Sequence, residues 1–81
     1  MISALFVDDE PLLLSGLRRM LRPMRDEWRM SFVESADAAV ELMANEPFDV
    51  VVSDIRMPGR SGVDFLAEVA ERWPDTVRII L

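Results

Sequence analysis

The sequence predicts an α/β fold, a doubly wound parallel sheet built in the order β-α-β-α-β-α-β. Three observations predict it. Short apolar runs alternate with stretches whose apolar residues recur at three- and four-residue steps, the period of a helix. Each run is separated from the next by such a helical stretch, and parallel strands need right-handed crossovers of this kind. The third run contains Val50-Val51-Val52, unbroken apolar residues typical of a strand covered on both faces.

The elements follow in order. Ile2–Val7 reads as a buried strand. Asp9-Glu10-Pro11 starts a helix, with acids near its positive N-terminal end and Pro in its first turn. Leu13, Leu17, Met20, Leu21 and Met24 make one apolar face, while Arg18, Arg19 and Arg22 lie on a solvated one. Pro23 predicts that the regular helix stops near Leu21 or Arg22. Trp28–Glu34 alternates, with Trp28, Met30 and Phe32 on one side and Arg29 and Ser31 on the other, as in a strand near a sheet edge. Ser35 is the N-cap expected for a helix over Ala36–Asn45, with Ala39, Leu42 and Met43 as its buried stripe. Asn45-Glu46-Pro47 ends that helix, and Phe48–Ser53 is the third strand. After the turn at Met57-Pro58-Gly59, Ser61 and Asp64 have the spacing of a capping box. They open a helix through about Arg72, with Val63, Leu66, Val69 and Ala70 facing inward. Trp73-Pro74-Asp75 breaks it, and Val77–Leu81 starts a fourth strand.

A chain of 81 residues is one domain or part of one. Half of its residues are hydrophobic, so it is globular rather than disordered. No apolar run approaches the ~20 residues of a membrane span, and the start Met1-Ile2-Ser3-Ala4 carries no secretory signal. A cytoplasmic location is the expectation. With no Cys there is neither a disulfide framework nor a thiolate metal site. With no His there is no Ser–His triad, no imidazole zinc site and no phosphohistidine donor. The formal net charge of −6 argues against nucleic-acid binding by this segment, because an acidic chain repels phosphate backbones.

Chemistry concentrates at the ends of two runs. Asp8 and Asp9 close the first, and Asp54 closes the third. Ligands of doubly wound sheets sit beyond the carboxyl ends of the strands, where the strand order reverses. If the first and third strands are neighbours, all three acids converge there. Crowded carboxylates repel one another, and a cation offsets that repulsion. Mg²⁺ takes oxygen ligands and keeps several waters. Two carboxylates and a backbone carbonyl from the loop after Asp54 are a sufficient protein share. Glu10 is the one further acid within reach along the chain. Asp54, exposed by the stiff Arg56-Met57-Pro58-Gly59 turn, is then a carboxylate nucleophile for phosphoryl transfer, giving an acyl phosphate. Taken singly, each piece is weak. A lone Asp at a strand end is usually a turn former, and Asp-Asp-Glu before a helix is usually a cap. Together, at the ends of two separate strands, they favour the functional reading.

Leu5-Phe6-Val7-Asp8-Asp9-Glu10, Asp49-Val50-Val51-Val52-Ser53-Asp54 and Met57-Pro58-Gly59…Gly62 resemble, in register over the whole chain, the receiver domain of two-component response regulators. The resemblance implies a flavodoxin-like sheet with the strand order 2-1-3-4-5, the order of a chemotaxis receiver. It implies that Asp54 is the phosphoacceptor and a metal ligand. Asp9 is a direct Mg²⁺ ligand, and Asp8 acts directly or through water. The backbone carbonyl of Arg56 is the third protein ligand, while its side chain holds a variable position that influences dephosphorylation. It also implies a sensor histidine kinase as phosphoryl donor, an output domain or effector as receiver of the signal, and a regulatory module rather than a metabolic enzyme. Met20–Trp28 further resembles receivers that precede HD-type phosphohydrolase domains.

The chain departs from the pattern too. Receivers carry a switch Thr or Ser after the fourth strand and a Lys after a fifth. This sequence ends at Leu81, and all nine of its cationic residues are arginine. The expectation is the N-terminal part of a receiver domain, residues 1–81, lacking the last helix-strand-helix. Such a piece should hold metal and phosphate poorly and should not switch. Its fourth strand, with an unpaired outer edge, predicts a homodimer or higher oligomer. Two other readings are weighed. One is a degenerate receiver used only for protein contacts. The other is an Asp-nucleophile phosphohydrolase of the haloacid-dehalogenase kind. That class expects a second Asp two residues after the first, where this chain has Arg56 after Asp54 and Glu10 after Asp8.

Overall fold

A computed structural model describes residues 1–81. Strands β1 (Ile2–Val7), β2 (Trp28–Val33), β3 (Val50–Ser53) and β4 (Val77–Ile80) alternate with helices α1 (Pro11–Leu21), α2 (Ala36–Asn45) and α3 (Gly62–Arg72). A single 3-10 turn, Arg22–Met24, carries the chain past Pro23. The strands form one parallel sheet in the order β2-β1-β3-β4. The chain leaves β1 for β2 on one side and returns across it to β3 on the other. The strand order therefore reverses between β1 and β3, where such sheets bind ligands.

Local chemistry sets the helix starts. The Ser35 hydroxyl accepts from the Ala38 N–H at 3.1 Å, and the Ser61 hydroxyl accepts from the Asp64 N–H at 3.1 Å. Each bond satisfies one of the donors a helix start leaves open, worth about 1 kcal/mol. α1 starts differently. Pro11 sits in its first turn, and the Asp8 carboxylate accepts from the Glu10 N–H at 2.9 Å just before it.

The main core lies on the α2–α3 face of the sheet. Leu5 and Val7 of β1 and Val51 of β3 meet Ala39 and Met43 of α2 and Phe65, Leu66 and Val69 of α3. α1 covers the opposite face alone, and Leu14 is its one buried residue. The apolar stripe predicted for α1 is therefore corrected, because Leu13 and Met20 are exposed. The inward line starts at Leu14 and keeps the expected Leu17 and Leu21, which are half-buried, while Met24 is exposed as well. Open apolar surface on this side is lined by Phe6, Leu17, Leu21, Val50, Val52 and Ile79, among others. In α3 the stripe also shifts: Val63 is exposed, and Phe65 is fully buried. In α2 Ala36 joins the buried stripe, while Leu42 packs at the margin of the core.

Three strand limits differ by one or two residues. β2 ends at Val33, β4 at Ile80, and β3 begins at Val50 rather than Phe48. Phe48 is buried as expected, and Asp49 still bonds in the ladder, its N–H donating to the Ser3 carbonyl at 2.8 Å. β2 is an edge strand, as its alternation predicted, and β4 forms the opposite edge. No helix is long and apolar enough to cross a membrane.

Candidate functional site

The register of the central strands brings the acids together. Val7 of β1 pairs with Ser53 of β3, so the residues that follow, Asp8 and Asp54, leave the sheet side by side. The Asp54 N–H donates to the Val7 carbonyl at 3.0 Å, and the Asp8 N–H donates to the Val33 carbonyl at 3.2 Å. Asp8, Asp9 and Asp54 each present a carboxylate oxygen, and the three oxygens lie within 4.8 Å of one another. Asp8 is buried, at 3% exposure, while Asp9 and Asp54 are half-buried. Glu10 is exposed and outside this cluster. Arg56 is exposed in the loop between β3 and α3, two residues past Asp54.

The donor set fits a hard divalent cation. Mg²⁺ is bound through oxygen at about 2.0–2.1 Å, so opposite ligands stand about 4.2 Å apart. A spread of 4.8 Å needs only small side-chain rotations to meet that limit. The carboxylates of Asp9 and Asp54 accept no hydrogen bond from the protein, which leaves their oxygens free to coordinate. At these distances two like charges repel by about 1 kcal/mol in water and by several times that at an effective dielectric of 20. The site therefore favours a cation, or an electrophile that removes one of the charges.

Two residues that the sequence reading treated as ordinary fix the backbone of Asp54. The fully buried Ser53 donates its hydroxyl to the Asp54 carbonyl at 2.9 Å. Gly62, at the start of α3, lies so close that an added Cβ would stand 1.9 Å from the same carbonyl oxygen. The Gly62 N–H also donates to the Ile55 carbonyl at 2.7 Å. Both residues stand in the segments that carry the family resemblance, but nothing in the sequence shows that they meet at the Asp54 carbonyl.

The loop that follows is pinned at both ends. Met57 inserts its side chain into the main core. Gly59 has φ +81°, a left-handed conformation that glycine adopts without steric cost. Arg60 pairs with Glu68 of α3, and Arg72 reaches the same carboxylate at 2.8 Å. Hydrogen bonds from Arg72 and then Arg60 hold the Glu68 carboxyl below the ordinary glutamate value, against a smaller opposing effect of burial.

A parallel sheet of this order with an acid cluster at its switch point is the architecture of a signalling receiver, and comparison with known proteins identifies the family. The profile of the response regulator receiver domain matches residues 4–81. The chain belongs to that family. It is 47% identical over 79 residues to the hydrogenase transcriptional regulatory protein HoxA of Cupriavidus necator, an alignment covering 98% of this chain and 16% of HoxA. Among solved structures it is similar to the signal receiver domain of an HD domain-containing protein from Pseudomonas fluorescens. That match has a TM-score of 0.91 and 29% identity and covers 98% of this chain and 57% of the other. It is also similar to the response regulator TrrA of Thermotoga maritima in complex with Mg²⁺-BeF, with a TM-score of 0.83, 29% identity, and 99% and 66% coverage. TrrA in complex with the histidine kinase ThkA matches with a TM-score of 0.87, 29% identity, and 99% and 67% coverage. The chain thus spans about a sixth of HoxA and about two thirds or less of these solved chains.

Proposed function

We propose that residues 1–81 form the N-terminal part of a receiver domain that accepts a phosphoryl group on Asp54 from the phosphohistidine of a sensor histidine kinase. The observation that carries this reading is the convergence of the Asp8, Asp9 and Asp54 oxygens within 4.8 Å at the switch point of the sheet. Asp9 and Asp54 would hold Mg²⁺, with Asp8 acting directly or through water and the backbone carbonyl of Arg56 as a further protein ligand. When bound, Mg²⁺ neutralises charge on the incoming phosphoryl group and on the carboxylates.

An Asp54 carboxylate oxygen attacks phosphorus. A P–O bond forms, the P–N bond to the donor imidazole breaks, and the imidazole leaves with the bonding pair and takes up a proton. The chain's own contribution is position and charge. Ser53 and Gly62 hold the Asp54 backbone, and the pinned loop leaves its carboxylate only half covered. Hydrolysis of the acyl phosphate resets the site. The role is regulatory, with at most self-phosphorylation and self-dephosphorylation as chemistry of its own, and the signal passes to an output domain or effector. The Mg²⁺-BeF bound to TrrA and its complex with ThkA support this reading through the shared fold.

The test is Mg²⁺-dependent, stoichiometric incorporation of beryllofluoride, followed by ¹⁹F NMR. In a chain that carries the complete receiver domain, uptake is expected for the wild type and for Asp75→Asn, and none for Asp54→Asn. Equal uptake by the two variants overturns the assignment.

A further inference from the structure

The side of α1 that faces the edge strand β2 is cationic rather than apolar. Arg18, Arg22 and Arg25 line an open groove of about 440 Å³ whose remaining walls are Trp28, Met30 and Phe32 of β2. The Arg18 guanidinium lies over the Phe32 ring, 4.8 Å from its centroid, and Phe32 stacks on Phe6 at 5.1 Å. The groove therefore has an aromatic floor and a cationic wall.

Two observations say what fits it. The first is charge. The chain has a formal charge of −6, yet three of its nine arginines face this one groove. Its ion pairs join Glu68 to Arg60 and Arg72, so the groove arginines have no carboxylate partner within the protein. The second is backbone. β2 is an edge strand, paired with β1 alone, and its outer edge presents free main-chain groups beside the groove. An extended segment added to such an edge gains main-chain hydrogen bonds and sends alternate side chains to one face. Carboxylates two residues apart on that segment are about 6.6–6.8 Å apart. Arg18 and Arg22, four residues apart on a helix, are separated by about 6 Å along its axis. Glutamate suits both surfaces, because its methylene stem packs on Trp28 and Met30 while its carboxylate reaches a guanidinium.

We infer that the β2 edge and the Arg18–Arg22–Arg25 groove together form a docking site for an extended acidic segment of a partner protein, with glutamate at alternate positions. The site is separate from the acid cluster and needs no phosphorylation.

A fluorescein-labelled eight-residue peptide alternating Glu and Thr is the probe, titrated at low salt by anisotropy, with ¹⁵N NMR of the full chain in parallel. The peptide binds and perturbs the amides of Trp28–Val33. Replacing its Glu residues with Lys abolishes binding. Arg18→Gln/Arg22→Gln/Arg25→Gln weakens it at least tenfold. The exposed Arg22→Gln alone, which leaves the floor intact, weakens it about threefold, so the result stands if the triple variant folds poorly. Four outcomes overturn the proposal: no binding at millimolar peptide, equal binding of the Lys peptide, undiminished binding by Arg22→Gln, or tighter binding of oligo-dT than of the Glu–Thr peptide. The last marks a general polyanion surface.

Discussion

The carbonyl of Asp54 and the α-carbon of Gly62 are in such close contact that a methyl group on Gly62 would stand 1.9 Å from the carbonyl oxygen. No flexible side chain can yield there, since the opposing atoms are backbone. Gly62→Ala is expected to push α3 away from β3, costing roughly 1–3 kcal/mol or more, and to displace Asp54. Gly59→Ala is the comparison. It has open space around it but a φ of +81°, so the expected strain is about 1–2 kcal/mol, confined to the turn. Urea denaturation with beryllofluoride uptake separates the two. Gly62→Ala loses both stability and uptake, while Gly59→Ala keeps uptake. A Gly62→Ala variant that matches wild type in both measurements contradicts the close-packing account.

Charge at the acid cluster makes stability depend on a divalent ion. Without one, Asp9→Asn or Asp54→Asn removes a repulsion of about 1 kcal/mol per neighbouring charge. Each variant should then be more stable than wild type in a chelator. Adding Mg²⁺ should raise the Tm of wild type by an amount that grows with concentration, since a ligand at a hundredfold excess over its Kd contributes about 2.7 kcal/mol. Neither variant should respond to the same degree. Equal Mg²⁺-induced shifts in all three proteins, read by thermal unfolding, exclude the cluster as the binding site.

The fold was legible because its strongest signals are periodic. Seven alternating elements and the edge position of β2 follow from apolar runs, while the meeting of Asp8, Asp9 and Asp54 follows from where two runs end once the family resemblance supplies the strand order that sets β1 beside β3. What was not legible lies in the third dimension. The start of the α1 stripe was misassigned because Leu12, Leu13 and Leu14 are consecutive and only Leu14 is buried, while Leu17 and Leu21 are half-buried as expected. Helical spacing puts Val63 on the inward stripe of α3, but it is exposed, and Phe65 is the residue buried with Leu66 and Val69 in the main core. Gly62 stands in the sequence only as the end of the Met57-Pro58-Gly59…Gly62 segment, and its importance comes from an approach to Asp54 that no local pattern encodes. The arginines at 18 and 22 read as solvated, and only the position of α1 over β2 gathers them with Arg25 in one groove.

Acid should loosen the loop after Asp54. Glu68 has a folded-state pKa below its ordinary value because Arg72 and Arg60 bind its charged form. A lowered value means that its stabilisation is fully present above the unfolded pKa of about 4.3. That stabilisation is lost as pH falls through the folded value. The carboxylate is partly exposed, so the contribution is of surface size, about 0.2–1 kcal/mol. Glu68→Gln should be less stable than wild type at pH 6 and should converge with it near pH 3. A stability difference that stays constant between those two pH values contradicts the ion-pair origin.

The 81-residue chain should self-associate through β4, and we propose a second copy as its partner there. Val77, Ile79, Ile80 and Leu81 are exposed, and β4 pairs with β3 on one side only. Charged side chains usually guard such an edge. Arg78 does not, because its guanidinium folds back to donate to the Thr76 carbonyl at 3.1 Å. Exposed apolar residues beside unpaired main-chain groups favour pairing with another chain. Sedimentation velocity at rising concentration should show a dimer or larger species. Ile79→Lys should shift it toward monomer, by placing a charge on the exposed apolar side of β4 without touching the α2–α3 core. A wild-type chain that remains monomeric at millimolar concentration leaves no basis for association through β4.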